Sequence, residues 1–154
     1  MTSNAVLAGQ GRRLLQTGIA LLLYSSLDGL VIPHLGSQRI GLSAHTLSGL
    51  QAVLLLALGL VWPRLALGGR SARVAFWCLV YSTLAILAAY TVAAFWGVGI
   101  ETIRLIGELP HGLARGTAFQ ETFIKVLAYS SAPTGIASFV LILWGLRGPA
   151  NADA

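Results

Sequence analysis

Four long apolar runs dominate this sequence and restrict what it can fold into. Each run is followed by a proline or a glycine, and together they cover about residues 14–32, 42–62, 74–96 and 119–146. Roughly 20 apolar residues in a helix are enough to cross the hydrocarbon core of a bilayer. Because lipid offers no partner for an unpaired backbone group, such runs cross it as helices. The sequence therefore predicts an all-α fold, an integral membrane four-helix bundle formed by a single domain over residues 1–154.

The charge content supports a membrane protein and argues against a nucleic-acid partner. Charged residues make up 10% of the chain, whereas soluble domains carry about 25%. The net charge is +5, but the basic residues flank the apolar runs, so we expect a lipid bilayer as the partner. The single cysteine, Cys78, lies inside an apolar run, which excludes an intrachain disulfide.

The arginines predict the orientation in the membrane. Basic residues remain on the cytoplasmic side of membrane spans. The first connection holds only Arg39, and the third holds Arg104 and Arg115 together with two glutamates. The other arginines lie in the N-terminal segment, the second connection and the C-terminal end, at Arg12, Arg13, Arg64, Arg70, Arg73 and Arg147. We therefore expect both termini on the cytoplasmic side of a bacterial inner membrane.

Three further predictions concern the ends of the spans. The N-terminal run superficially resembles a signal peptide, but it contains Asp28 and no clean small-x-small cleavage site follows, so we interpret it as a retained span. The third connection has Glu101, Arg104 and Glu108 at helical spacing, which predicts a surface helix ending at Pro110. The four tryptophans lie near span ends and predict an aromatic belt: Trp62, Trp77, Trp96 and Trp144.

A polar entry to the second span, "GLSAHTLSGLQA", is the most unusual local feature. His45 falls in the first turn of the predicted span, with Ser43 as a fair N-cap. Ala44, Ser48 and Ala52 form a row of small residues, and Gly49 lies within one turn of the histidine. This leaves room beside the imidazole, which fits a flat group held between two helices and also fits plain helix packing.

Other polar residues inside the spans also have two interpretations. Asp28 is either an interfacial carboxylate or a partner for His45 or for a cationic substrate group. Glu121 and Lys125 have the spacing of a structural ion pair. Tyr90 is deep in the third span, so its hydroxyl needs a partner. The fourth span has a polar middle around Pro133, which predicts a kink whose carbonyls face a cavity.

The individual residues do not identify a substrate, but three segments of the sequence resemble a known family. "LSAHTLSGLQAVLLLALGLVWPRL", "GTAFQETFIKVLAYSS" and "VLILWGLRG" resemble the hydroxylaminobenzene mutase family, and the likeness runs from about Leu35 to Gly148. A weaker likeness reaches the styrene oxide isomerases, which are small four-helix membrane enzymes. Their second span opens with an Ala-His pair, as this one does at Ala44 and His45.

The likeness to the styrene oxide isomerases extends to single positions. Gln51 stands where they carry an asparagine six residues after the histidine, and Tyr90 matches a tyrosine of their third span. Two positions depart from the pattern: Ser82 stands where they carry an aspartate, and Ile86 stands where both families carry an asparagine.

This resemblance implies a cofactor and a set of site residues. It implies a homotrimer with haem b between subunits, bound through an axial histidine, whose ferric iron acts as a Lewis acid. Carried over, His45 is the metal ligand, and Gln51 and Tyr90 are the catalytic residues at the open face. Ser48 and Gly49 then line the cofactor slot. The candidates to hold the haem propionates are Arg39, Arg104 and Arg115.

The resemblance implies an isomerase that converts a small aromatic N-hydroxylaminoarene into an aminophenol. An alternative is an aryl epoxide isomerase that gives an aldehyde on the same haem scaffold. A third is a non-catalytic haem-binding or electron-transfer subunit, which needs a second axial ligand from His34 or His111. The last is a small structural or regulatory membrane protein without a cofactor.

Overall fold

Four helices form the part of the chain that the computed structural model describes, residues 3–99, 101–103 and 116–148. They are α1 (Ser3–Val31), α2 (Gln38–Val61), α3 (Gly69–Trp96) and α4 (Ala118–Leu146). Each is long and apolar enough to cross a membrane. The predicted all-α class with four membrane helices is confirmed.

Helix α1 begins eleven residues before the predicted first span, which started near Leu14. Residues 3–13 are too polar to extend an apolar run, yet they belong to the packed bundle. Leu7, Leu14 and Leu21 are buried at seven-residue spacing. The ring N–H of Trp62 donates to the side-chain oxygen of Gln10 at 3.1 Å. Trp62 is fully buried, so the prediction that it belongs to an aromatic belt is wrong.

Helix α2 also begins earlier than predicted, and its N-cap is Ser37 rather than Ser43. The Ser37 hydroxyl accepts from the N–H of Ile40, as capping requires. The Ser43 hydroxyl instead donates to the carbonyl of Arg39 at 3.1 Å. His45 therefore lies two turns inside α2, where the backbone is fully helical.

The helices pack as two hairpins, α1 with α2 and α3 with α4, joined by contacts between α2 and α3. The alternating direction places the start of α1, the α2–α3 connection and the end of α4 together, with a bond from the N–H of Ala66 to the carbonyl of Gly145 at 2.9 Å. We call this the arginine-rich end. Its arginines are Arg12, Arg13, Arg64, Arg70, Arg73 and Arg147. At the opposite end, the N–H of Ser37 donates to the carbonyl of Ala94 at 2.9 Å.

The buried apolar residues divide into two clusters along the bundle. One includes Trp62 and Phe76 toward the arginine-rich end, and its first member on α2 is Ala52. The other lies toward the opposite end and contains Ile40 of α2. The segment of α2 with His45 and Gln51 falls between these clusters, so the candidate polar residues interrupt the apolar core rather than lie at its margin.

Close approach of α1 and α2 depends on glycines. A Cβ on Gly11 would lie 2.8 Å from the backbone oxygen of Gly59, and one on Gly18 would lie 2.8 Å from Cγ of Leu56. Neither distance allows a methyl group, and the Gly59 oxygen is part of the helix backbone. Small residues at such positions let membrane helices pack with their backbones nearly touching.

Gly11→Ala is therefore expected to destabilise the protein by about 1–3 kcal/mol, because the added methyl forces the two helices apart. Gly9→Ala is the matched control on the same helix, since a Cβ there meets nothing within 4 Å. That control should be neutral or slightly stabilising, as alanine favours helix more than glycine does. Thermal unfolding in detergent measures both, and equal stability of the two variants would contradict the packing argument.

The predicted ion pair between Glu121 and Lys125 is absent from the described residues. Glu121 is buried, and its Oε1 accepts from the N–H groups of Gly99 at 3.0 Å and Gly116 at 3.2 Å. The Lys125 ammonium instead lies 5.9 Å from the ring centre of Tyr129. Glu121 thus fastens both ends of the connection between α3 and α4, because unpaired backbone donors are costly where water is scarce.

Glu121→Ala is expected to lower stability by about 1–3 kcal/mol, because it leaves buried N–H groups without an acceptor. Glu121→Gln keeps a side-chain oxygen at the same place and should retain most of that stability. Lys125→Ala should cost less than about 1 kcal/mol, the size of an exposed cation–π contact. If an ion pair were the main role of Glu121, thermal unfolding would show similar losses for Lys125→Ala and Glu121→Ala.

The polar middle of α4 serves helix packing. Helix α4 continues from Ala118 to Leu146 with Pro133 inside it. The Thr134 hydroxyl donates to the carbonyls of Ser130 and Ser131, and the Ser82 hydroxyl of α3 donates to the carbonyl of Ser131 at 2.7 Å. The hydroxyls of Ser82 and Thr134 thus bind the carbonyls of Ser130 and Ser131, and the prediction that carbonyls freed at Pro133 line a cavity stays a prediction.

Candidate active site

His45 lies at the edge of the contact between α1 and α2, with its ring against Gly29. A Cβ on Gly29 would be 3.4 Å from Cε1 and 3.6 Å from Nδ1 of the imidazole. Nδ1 is buried and has no hydrogen-bond partner. Nε2 makes no hydrogen bond to the described residues and, unlike Nδ1, is not fully buried. The ring therefore presents one nitrogen to α1 and leaves the other for a ligand.

Two serines hold the backbone of His45. Its carbonyl accepts from the Ser48 hydroxyl at 2.7 Å and from the Ser25 hydroxyl of α1 at 3.2 Å. Ser48 is fully buried, and a Cβ on Gly49 would lie 3.6 Å from the Ser25 hydroxyl. Ser48 and Gly49 thus belong to the α1–α2 contact, and the Ser48 hydroxyl holds the His45 carbonyl in place.

Gln51 faces α3 rather than α1. The Thr83 hydroxyl donates to the Gln51 side-chain oxygen at 3.3 Å, and Thr83 is buried. This bond orients the amide and leaves its NH₂ group as the available donor. Because an α-helix turns 100° per residue, Gln51 lies about 120° round α2 from His45.

Tyr90 lines a groove between α2 and α3 of about 490 Å³. The other lining residues are Leu42, Ser43, Thr46, Leu47, Leu50 and Ile86. The groove is mostly apolar, because the hydroxyls of Ser43 and Thr46 donate to carbonyls of their own helix. The groove can accommodate a small aromatic molecule, and the Tyr90 hydroxyl can form a hydrogen bond with a polar substituent of that molecule.

The hydroxyl of Tyr90 has no partner among the described residues. Two other tyrosines differ from it in this respect: the Tyr24 hydroxyl pairs with Thr91 at 2.9 Å, and the Tyr81 hydroxyl pairs with Ser130 at 2.7 Å. The Tyr90 hydroxyl is not among the fully buried unpaired atoms of the described residues, so it is accessible from the groove. An unpaired phenol in an apolar groove is therefore a candidate ligand-binding group.

One chain does not bring all the candidate residues together. His45 faces α1, whereas the groove that contains Tyr90 lies on another side of α2. Arg39 is exposed at the start of α2. Arg104 and Arg115 lie outside the described residues, as do His111 and most of the predicted surface helix.

Sequence reasoning missed Thr83 and Gly29, the residues that position Gln51 and His45. Both residues act across a contact between two helices, so the spacing of residues within one segment does not predict their roles. Within the described residues, no three His, Cys, Asp or Glu side chains converge to hold a metal ion. Of the candidate metal ligands, His45 is the one inside the bundle with an available ring nitrogen.

The fold and these residues define a small multi-pass membrane protein with an apolar groove and a few fixed polar groups. Residues 10–147 match the sequence model of the styrene oxide isomerase family. The chain belongs to that family.

Two relatives share most of their length with this chain, both from Ectopseudomonas oleovorans. Hydroxylaminobenzene mutase HabB is 42% identical over 146 residues, which cover 93% of this chain and 87% of HabB. Hydroxylaminobenzene mutase HabA is 29% identical over 133 residues, 86% of this chain and 96% of HabA. No solved structure matches the chain. The predicted resemblance to both families is confirmed, and the protein is an isomerase.

Proposed function

We propose that this isomerase rearranges an N-hydroxylaminoarene to an aminophenol. The 42% identity to hydroxylaminobenzene mutase HabB over most of both chains carries this proposal. The apolar groove with the unpaired Tyr90 hydroxyl supports it, because a small aromatic ring with one polar substituent suits such walls. The reaction breaks the N–O bond, forms a C–O bond on the ring and moves a ring proton to nitrogen, with no net oxidation.

The proposal includes haem b, with His45 as its axial ligand. His45 offers one accessible nitrogen from a rigid helix, and this nitrogen would hold the haem iron, as a single histidine does in many haem proteins. When bound, ferric haem supplies a Lewis acid for the substrate oxygen. Arg39 at the exposed start of α2 is a candidate to hold a propionate, as are Arg104 and Arg115.

The chain's own residues supply orientation and hydrogen bonds. The Tyr90 hydroxyl in the groove donates to the substrate oxygen as negative charge develops on it, and a fixed donor of this kind stabilises a transition state. The proposal assigns the same role to the Gln51 amide, which lies outside the groove lining. Apolar side chains such as Leu50 and Ile86 exclude water from the groove. The departing oxygen then returns to the ring of the same molecule rather than exchanging with solvent.

The working form is a homo-oligomer, a trimer by resemblance, in which His45 of one copy meets the Tyr90 groove of a neighbour. The separation of these residues on one chain supports this arrangement, since His45 faces α1 and the Tyr90 groove lies on another side of α2. We also place the protein in a bacterial inner membrane with both termini cytoplasmic. The six arginines at one end of the bundle support that orientation.

An aryl epoxide isomerase is the second candidate, favoured by the match to the styrene oxide isomerase family. The position of Ser82 argues for the first candidate. Its hydroxyl donates to the carbonyl of Ser131, so it links α3 to α4. Ser82 therefore supplies no carboxylic acid at the position where the resemblance implies an aspartate in the styrene oxide isomerases.

The test uses detergent-purified protein, its absorption spectrum and two separate substrates. We expect a ferric Soret band and conversion of hydroxylaminobenzene to an aminophenol. Conversion of styrene oxide alone would favour the epoxide reaction. A six-coordinate low-spin spectrum without turnover would favour electron transfer, and a colourless active protein would contradict the haem assignment.

A further inference from the structure

Two buried polar atoms without partners occur on the facing helices α1 and α2. They are Oδ2 of Asp28 and Nδ1 of His45. The remaining atoms of this kind among the described residues, on Thr102 and Glu121, belong to the α3–α4 connection and the start of α4. A buried donor and a buried acceptor left unpaired are each costly, whereas one hydrogen bond between them would satisfy both.

The local geometry places the two side chains on facing turns of α1 and α2, without a hydrogen bond between them. His45 rests its ring on Gly29, the residue next to Asp28, with 3.6 Å from Nδ1 to a Cβ placed there. The absence of a side chain at residue 29 lets the ring approach the α1 backbone. The Asp28 carboxylate lies close enough to His45 for an electrostatic interaction between the two side chains. Asp28 is also half-buried, so bulk water does not satisfy its inner oxygen.

Other polar groups beside His45 already have different roles. The hydroxyls of Ser25 and Ser48 both donate to the His45 carbonyl. A hydroxyl that donates its only proton there can still accept, but neither is bonded to the ring. A carboxylate is the stronger acceptor for an imidazole N–H, and Asp28 is the one that α1 places beside the ring.

We propose that Asp28 is the positioning residue for His45: its carboxylate accepts the Nδ1 proton and leaves Nε2 unprotonated toward the metal group. This inference rests on the proposed function, and it names the residue that makes His45 a good ligand. Metal-bound histidines ordinarily donate their second N–H to a carboxylate or carbonyl, which fixes the tautomer and raises ligand basicity. The close approach at Gly29 is what allows α1 to supply that carboxylate.

The test compares the purified wild-type protein with Asp28→Asn and Asp28→Glu, using resonance Raman spectra of the ferrous five-coordinate haem. Asp28→Asn keeps the shape but accepts a proton less strongly, so the iron–histidine stretching frequency is expected to fall. Haem affinity should fall about 10–100-fold. Asp28→Glu restores a carboxylate and should recover part of both effects. If Asp28→Asn binds no haem, recovery of haem and frequency by Asp28→Glu supports the proposal, and failure to recover overturns it.

Tyr24→Phe is the matched control on the same helix. It removes the bond to Thr91 without touching His45, so a general loosening of α1 would appear there as well. An unchanged iron–histidine frequency in haem-loaded Asp28→Asn overturns the role of Asp28 and leaves the proposed function intact. Absence of haem from the wild-type protein, by contrast, overturns the proposed function itself.

Discussion

His45→Ala is expected to remove the haem absorption and the isomerase activity together while the four helices remain folded. The substitution takes away the proposed axial nitrogen, and the Lewis acid leaves with it. A metal Lewis acid contributes several kcal/mol to a transition state, so activity should fall at least about 10³-fold. The imidazole makes no hydrogen bond to the described residues, so the proposed contact with Asp28 is the one bond between helices that the substitution would remove. The serine bonds to residue 45 use its backbone carbonyl. The Soret band and product formation are the measurements.

His34→Ala is the control for this prediction. His34 is exposed in the short 3₁₀ helix Ile32–His34 that follows α1, outside the packed site. Its replacement should leave both the spectrum and turnover near the wild-type level. Helical content by circular dichroism confirms that both variants fold. Loss of the Soret band in His34→Ala, with retention in His45→Ala, would show that the ligand assignment is wrong.

The fold was predictable because lipid imposes a strong rule on the chain. Runs of about 20 apolar residues must cross as helices, and four such runs are plain in the sequence. The start of α1 was not predictable in this way, because residues 3–13 look polar until Gln10 is seen to bond the buried ring of Trp62. Glu121 was misread for the same reason: its partners, Gly99 and Gly116, come from outside its own helix.

The candidate site shows the same division between local and tertiary information. His45 could be singled out as a polar residue inside a span, and the family resemblance gave it a proposed role. Gly29 and Thr83 could not be linked to the site, since their importance depends on which helix faces which. The row of Ala44, Ser48 and Ala52 permitted two interpretations, and in the structure all three are buried.

Tyr90→Phe is expected to lower kcat about 10²–10³-fold with little change in KM, the cost of losing one fixed donor to a developing oxyanion. The phenyl ring keeps the apolar wall of the groove, so substrate should still bind. Because the Tyr90 hydroxyl makes no bond within the described residues, its removal should not reduce stability. Tyr81→Phe is the matched control, since it breaks a bond to Ser130 on a different face of α3. Equal losses of kcat in the two variants would assign Tyr90 a structural role.

Mixing the two defective chains tests whether the loss in Tyr90→Phe belongs to a site shared between copies. On one chain, His45 and the Tyr90 groove lie on different sides of α2, so each variant would damage a different part of the proposed shared site. Coexpressed His45→Ala and Tyr90→Phe chains should then regain up to about a quarter of wild-type activity, because equal mixing pairs an intact histidine with an intact tyrosine at that frequency in a closed ring. If both residues served the same chain, every copy would carry one defect and no activity would return. Separately expressed proteins mixed after purification, without subunit exchange, provide the baseline for that comparison.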